Sequence, residues 1–427
     1  MTELIAREEL TTREECVRAD QRDPLARFRE RFVIPEGVIY LDGNSLGAMP
    51  ADAPARAADV VTEEWGKELI GSWNSRGWFD MPSRLGDLIS PLIGGQHGQA
   101  VVTDTTSVNL FKVLAAALTI QEADQPGRRV IISERDNFPT DLYIIEGMTA
   151  FLDRGYELKL IDNDQQARLE DLLDDQVAAV ALSHVNYRTG ALWDMGAVTS
   201  QVHDAGALMI WDLCHSVGAL PIELSACNAD FAIGCTYKYL NGGPGSPAFL
   251  WVNETHQNRF WQPLSGWWSH RAPFEMSPKY HAADGIERFL CGTQPITSMA
   301  VAECGFRIAA EADLAEVRHK SLAMADLFIG LIEDKCAGHP LTLITPRRHQ
   351  DRGSHVSFRH PEGHAVVNAL VSRGVIPDYR EPEVIRMGIT PLYLRYADVW
   401  DAATILADIL DTESWNTEEH RRRGAVT

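Results

Sequence analysis

Residues 229–238 read ADFAIGCTYK, and this stretch decides the fold. Ala229 to Tyr237 is apolar and rich enough in large side chains to form a buried strand. It ends at Lys238, and Tyr239 to Pro247 then reads YLNGGPGSP, a turn broken by glycine and proline. Upstream, Ala207 to Trp211 (ALMIW) is a second apolar run, ending at Asp212. Two short buried strands thus deliver a carboxylate and an amine to their C-terminal ends, separated by a connection of crossover length. Such a pair suits pyridoxal phosphate (PLP): the lysine forms a Schiff base with the aldehyde and the carboxylate pairs with the ring nitrogen. Taken singly, each residue reads more simply as a surface lysine or a capping aspartate, because strand ends are commonly polar. The surrounding features decide between the readings.

The alternation around these strands points to an α/β fold. Strands are expected at 100–103, 129–133, 157–161, 177–183, 207–211, 229–235 and 247–252, with helices at 107–121, 139–152, 166–174 and 196–205. This order implies a mainly parallel central sheet with helices on both faces, in which ligands bind beyond the C-terminal strand ends. Before it, residues 3–32 read as helical, Val38 to Leu41 as a short strand running into DGNSLG (42–47), 51–69 as helical, and 70–82 as an aromatic-rich loop. After it come an irregular stretch (256–295), a long helix (296–334), and a tail with strands at 341–344, 354–358 and 384–389 and helices at 363–373 and 397–411. That tail reads as a smaller α+β domain.

With 427 residues the chain can bury a large core, and its length suggests two or three domain-sized units. A net charge of −21 argues against nucleic acid or an anionic membrane as partner. The N-terminal residues carry no apolar core of signal-peptide length, and no apolar run of membrane-spanning length occurs. The seven cysteines are scattered without a CxxC, as in a reduced, cytoplasmic protein. Cys214 and Cys235 read as small buried hydrophobes, with a reactive thiol as the alternative. Arg421 to Arg423 reads as a frayed basic end.

Several groups carry chemistry. Thr105, Thr106 and Ser107 precede an apolar helix, so their hydroxyls and the free N–H groups of its first turn suit a dianionic phosphate; ordinary capping is the equal alternative. Phe138 in FPTD (Phe138, Pro139, Thr140, Asp141) suits stacking on a flat ring, or a helix start with Pro139 in first position. Ser183 ends a strand, and the turn after it runs to a helix start near Asp194. An ionised Asp212 would keep a pyridinium protonated. His215 fits either a hydrogen bond beside this pair or a core position. Histidines 349, 355, 360 and 364 share no helix-face spacing and are not expected to bind a metal.

The chain resembles the kynureninase family, PLP-dependent hydrolases of the aspartate-aminotransferase-like fold (fold type I), over nearly its whole length. The likeness is carried by YLDGNSLG (40–47), FPTD (138–141), WDLCHSVGALP (211–221), YKYLNGGPGSP (237–247), LSGWWSH (264–270) and IRMGITPLYLRYADVW (385–400). It implies a large PLP-binding domain over 51–305 and a small domain over 306–427 on which residues 1–50 pack. It also implies a homodimer with the active site at the subunit interface. Lys238 would carry PLP and move the substrate α-proton, and Asp212 would face the ring nitrogen. Phe138 would stack on the ring, with Pro139, Thr140, Asp141, Ser183 and His215 beside the cofactor. Thr106, Ser107 and Tyr237 form the phosphate side, with Trp267 and Thr293 contributed by the partner subunit; some family members have asparagine in place of Thr293. Tyr237 would donate a proton, Arg386 would grip the substrate carboxylate, and Ser45 and Trp73 would meet its aromatic end. The implied reaction is hydrolysis of L-kynurenine, or of 3-hydroxy-L-kynurenine, to the corresponding anthranilate and L-alanine in tryptophan catabolism. The bulk of Trp73 favours the unsubstituted ring. Two alternatives remain: another fold type I enzyme, such as a cysteine desulfurase or an aminotransferase, and a PLP-binding scaffold without activity. A desulfurase needs a mobile reactive cysteine late in the chain, and Cys336 is the one candidate for it.

Overall fold

The computed structural model describes residues 10–162 and 165–423. The stretches expected as strands between 100 and 252 lie side by side in one seven-stranded sheet. Their spatial order is Ala100–Val102, Phe249–Val252, Phe231–Gly234, Leu208–Asp212, Val177–Ser183, Val130–Glu134, Glu157–Ile161. Phe249–Val252 runs antiparallel to both its neighbours, and every other pairing is parallel. Composition explains the architecture: Val177–Ser183 (VAAVALS) is buried at every position, as a strand covered on both faces must be. Alternate side chains feed two separate cores. Ile132, Val180, Leu182, Met209 and Trp211 join the side where Met195–Asp204 and Ile296–Glu311 pack. Ile131, Ala179, Ala181, Ile210 and Ile233 join the side covered by Thr106–Asp124 and Pro139–Leu152.

A second, antiparallel sheet orders Thr342–Leu343, His355–Arg359, Val384–Gly388 and Asp378–Arg380. Its core is shared with Leu314–Lys335, Gly363–Ser372 and Tyr396–Asp411. Leu10, Cys16, Leu25, Phe28 and Leu41 are buried in that same core. The N-terminal segment is tied there by Asp20, which accepts from the backbone N–H of Tyr396 (2.6 Å) and Ala397 (3.1 Å). Ile39–Tyr40 also pairs in parallel with Val375–Ile376. The DGNSLG turn that follows is pressed against the backbone of Tyr237 and Lys238: Gly47 N–H donates to the Tyr237 carbonyl at 2.7 Å. A Cβ at Gly47 would stand 2.3 Å from the Lys238 carbonyl oxygen, so only glycine fits this approach.

Several elements differ from the sequence reading. Of the helix expected over 3–32, residues 3–9 lie outside the described residues, and the remainder is Arg13–Arg22 followed, after Pro24, by a separate turn at Ala26–Arg31. The expected 296–334 helix is two, Ile296–Glu311 and Leu314–Lys335. Asp313 starts the second by accepting from Ala315 N (2.8 Å). The 51–69 helix widens at Val60–Glu68 into a π-helix, where buried Glu64 meets Arg56 and the Trp78 indole N–H, each at 2.7 Å. Residues 70–82 contain the helical turn Ser72–Ser75. The short strands Val375–Ile376 and Asp378–Arg380, separated by Pro377, were not expected. Residues Glu418–Arg421 form a helical turn, and the His420 carbonyl accepts from Asn368 at 2.7 Å instead of fraying. Among the described residues no helix is long and apolar enough to cross a membrane.

Glu134, at the end of its strand, orders the loop that follows Ser183: its carboxylate accepts from Asn186 (3.2 Å) and the Trp193 indole (3.3 Å). Burial pushes this carboxyl up to about 7, from an ordinary 4.5. The native protein therefore keeps a proton that the unfolded chain releases, and raising the pH through this window lowers stability. Glu134→Gln keeps an acceptor without the charge. Its Tm relative to the parent is expected to rise between pH 5 and pH 8; a difference independent of pH would contradict the buried-acid account.

Candidate active site

Strand register brings the polar groups together. Ser183 and Asp212 are paired residues on adjacent parallel strands, and Asp212 pairs in turn with Ile233. The Ser183 hydroxyl lies 2.6 Å from Asn137 Oδ1 and 3.3 Å from Asp212 Oδ2, while Asp212 Oδ1 accepts from Cys214 N at 2.7 Å. Beyond Ile233 the chain runs through Cys235 and Thr236 to Tyr237 and Lys238. Thr236 pins this exit, its hydroxyl 2.7 Å from that of Ser246 and 2.6 Å from the Pro247 carbonyl. The Lys238 Nζ then lies 2.9 Å from His215 Nε2.

These side chains border one cavity of about 450 Å³. Lys238, Tyr237, Asp212, His215 and Ser183 line it from the sheet end. Phe138, Thr140 and Asp141 line it from the start of Pro139–Leu152, and Thr106 and Ser107 from the start of Thr106–Asp124. Thr105 supplies the cap of that helix, accepting from Val108 N at 3.3 Å, which leaves the next two hydroxyls facing the cavity. Phe138 meets Tyr187 edge-on, with ring centroids 5.3 Å apart. Pro139 is the first helical residue and is not part of the lining. The donor set fits PLP: an amine for the aldehyde, a carboxylate for the ring nitrogen, and a capped 19-residue helix start with the Thr106 and Ser107 hydroxyls for the phosphate.

Burial sets the charges. Desolvation, then the neighbouring Asp212, holds the Asp141 carboxyl well above the usual carboxylate range, so Asp141 keeps its proton and shares it with Asp212. Burial and Lys238 hold His215 well below its ordinary value, and His355, 5.5 Å away ring to ring, is brought down to about 3. Both imidazoles are neutral, and His215 Nε2 is free to accept from the Lys238 ammonium. Cys235 and burial push the Tyr237 phenol above its usual range, which keeps its proton in place.

Arg386 is 1% exposed and sits outside that lining, in a network of its own. Its Nε donates to Asp378 Oδ1 at 2.8 Å, its Nη2 to Asp378 Oδ2 and to Ser45 Oγ (2.7 Å), and its Nη1 to the Tyr187 carbonyl. Ser45 is thus found beside the guanidinium. Trp73 meets Trp268 edge-on at 5.3 Å, and Trp268 in turn touches Trp267 at 5.0 Å, in an aromatic cluster away from the Lys238 cavity. Trp267 and Thr293 are exposed and do not line this chain's cavity. Of the four histidines, His349 pairs with Asp326 (2.6 Å), His360 lies by Trp415, and His364 by Tyr379. Cys336 is buried in the small-sheet core and its thiol is pushed up to about 11, the opposite of a mobile reactive cysteine. Sequence reasoning missed Tyr187, Asp378 and Arg380; the stretch around DYR (378–380) reads VIPDYREPE, where neighbouring charges and prolines hide Asp378 and Arg380 in what looks like a polar turn.

Comparison with known proteins agrees with this geometry. The family model described as the kynureninase C-terminal domain matches residues 317–406. The chain is 59% identical to the kynureninase of Burkholderia pseudomallei (strain 1106a), covering 98% of this chain and all of that protein. It is 56% identical to the kynureninase of Pseudomonas fluorescens over the same span. Among solved structures, the cysteine desulfurase of Thermococcus onnurineus NA1 superposes with a TM-score of 0.77 at 18% identity, covering 91% of this chain and 98% of that one. C-DES, solved with glycine covalently linked to its PLP cofactor, gives 0.75 at 16%, covering 89% of this chain and 99% of that one. At such identities these two establish the fold alone, that of PLP-dependent fold type I enzymes. Identity above one half along the entire length establishes more: the chain belongs to the kynureninase family.

Proposed function

We propose that the Lys238 cavity holds the family's PLP and that the protein hydrolyses the Cβ–Cγ bond of L-kynurenine, releasing anthranilate and L-alanine. The observation that carries this is the convergence of Lys238, Asp212 and the Thr106 helix start on one cavity, in a chain so similar to kynureninases. Bound PLP supplies the electron sink that lets the substrate lose its α-proton and its Cβ–Cγ bond. Lys238 carries the cofactor and afterwards moves the proton at Cα, with neutral His215 2.9 Å away to receive a hydrogen bond from its ammonium. Asp212, hydrogen-bonded by Asp141 and Cys214 N, faces the ring nitrogen. Phe138 covers the ring, and Thr106, Ser107 and Tyr237 hold the phosphate. Tyr237, with its phenol kept protonated, donates to Cβ as the bond breaks, while the acyl carbon takes the hydroxyl of water and the remaining proton of water restores the phenol. Arg386, with Ser45 beside it, receives the substrate carboxylate.

We further infer a homodimer working in the cytoplasm, with residues 51–305 as the cofactor domain and 306–427 plus 1–50 as the small domain. Ile296–Glu311 bridges the two units, because Met299, Phe306 and Ala309 belong to one core and Ile308 to the other. Trp267 and Thr293 would complete the neighbour's phosphate side. The exposed Trp267, Phe274 (70%) and Met276 (77%) form an apolar edge that suits a second copy. A reducing compartment suits the neighbouring free thiols Cys214 and Cys235.

With PLP added, the protein is expected to release fluorescent anthranilate from L-kynurenine, and Lys238→Ala to lose both the bound-cofactor absorption band and the product. Well-folded, PLP-loaded protein that gives no anthranilate would refute the assignment; alanine plus persulfide from cysteine would mark a desulfurase instead. Light scattering is expected to give twice the chain mass. Monomers that keep full activity would exclude a site shared between subunits.

A further inference from the structure

Arg386 cannot offer an open fork to a ligand. A guanidinium has five N–H donors. Nε and one N–H of Nη2 are closed by Asp378, the other N–H of Nη2 by Ser45 Oγ, and one N–H of Nη1 by the Tyr187 carbonyl. The Asn44 amide oxygen, turned toward the guanidinium, lies 2.8 Å from Nε as well. One N–H of Nη1 is left. A bidentate grip, the usual way a guanidinium holds a carboxylate, therefore has no free edge here, and a carboxylate must find its second contact elsewhere.

The small sheet supplies one. Asp378 and Arg386 are paired residues on adjacent antiparallel strands, and Arg380 follows Asp378 on the same face of its strand. Arg380 Nη2 lies 2.8 Å from Asp378 Oδ2 and 3.0 Å from Ser45 Oγ. The Ser45 hydroxyl is thus the atom where both guanidinium groups meet, while donating its own proton to Asp378. Arg380 is 33% exposed where Arg386 is 1%, so it is the more accessible of the two guanidinium groups. Two guanidinium groups and one Asp378 carboxylate leave one positive charge. Burial and Asp378 raise Asp42, the nearest other acid, to about 7, so it adds no full negative charge at neutral pH. One carboxylate neutralises the cluster.

We propose that Arg380 is a second binding residue for the substrate's α-carboxylate, one of whose oxygens takes the place now held by the Ser45 hydroxyl and bridges Arg380 and Arg386. This rests on Arg386 being the carboxylate receptor, and the experiment separates the two claims. Two ligands are titrated into the PLP-loaded enzyme and followed by the cofactor spectrum: L-alanine, and kynuramine, the substrate skeleton without its carboxyl. Arg380→Gln is expected to weaken L-alanine about tenfold or more and kynuramine less than about twofold, with the ligand-free spectrum unchanged and Arg380→Lys recovering part of the loss. Equal weakening of both ligands, or of neither, overturns the proposal. If Arg386→Lys selectively weakens L-alanine in that case, the reading of Arg386 stands; if it also shows no selectivity, that reading fails too. Because Arg380→Gln could act by loosening Asp378, the L-alanine complex is also crystallised. A carboxylate oxygen within hydrogen-bond reach of both guanidinium groups is expected, and one bonded to Arg386 alone overturns direct contact.

Discussion

The structure depends on the register of three parallel strands, Val177–Ser183, Leu208–Asp212 and Phe231–Gly234. Parallel pairing ends these strands at the same edge of the sheet, so residues that terminate apolar runs in the sequence become neighbours in space. A shift by one residue would turn Asp212 into the helix layer and Trp211 toward the cavity. Trp211 guards against that slip, because its indole is fully buried and bonded to Thr199 at 3.1 Å. The packing of one face thus fixes the chemistry at its end.

Taking so many ionisable groups out of water is costly, and the site limits the cost by keeping few of them charged. Asp141 holds a proton against Asp212, and His215 and His355 are neutral. Arg386 and Arg380 share Asp378. Lys238 is then the cation facing the cavity, opposite an acid that is already hydrogen-bonded. The same arrangement that makes burial tolerable also prepares the amine, because its nearest neighbour is an acceptor and not a competing charge.

What the sequence made legible follows from how local each signal is. Most strands from 100 to 252 were readable because burial on both faces makes them continuously apolar, the edge strand Glu157–Ile161 because it alternates, and Lys238 and Asp212 because they end apolar runs. The break at Ala312–Asp313 was not, since both flanking helices carry similar apolar patterns and the stop is a single capping side chain. Asp378 and Arg380 were hidden for a different reason. Their strand is three residues long, lies next to a proline, and gains its meaning only from Arg386 across the sheet. Ser45 could be placed near the substrate from its motif, but its position between two arginines depends on residues more than 330 positions away.

The same limits explain why fold and activity separate here. Cysteine desulfurases share this architecture at 16–18% identity, because strand register and a lysine at a strand end set only where a cofactor sits. Activity depends on what the remaining walls present to the substrate. In this chain Cys336 is locked in a core, with a thiol that burial makes a poor nucleophile. A phenol is instead held protonated next to the amine, and two arginines gather on Asp378 in the second sheet. Under the proposed function, a substrate held by its carboxylate on the small sheet and by its amino group on the cofactor at the end of the large sheet would span both sheets. Its side chain, with the bond to be cut, is then directed by the relative position of the two domains. Gly47, which lets the DGNSLG turn press onto the Lys238 carbonyl, is one of the contacts that hold that position, with the Arg386 bond to the Tyr187 carbonyl and the Tyr239 hydroxyl bond to the Ser354 carbonyl.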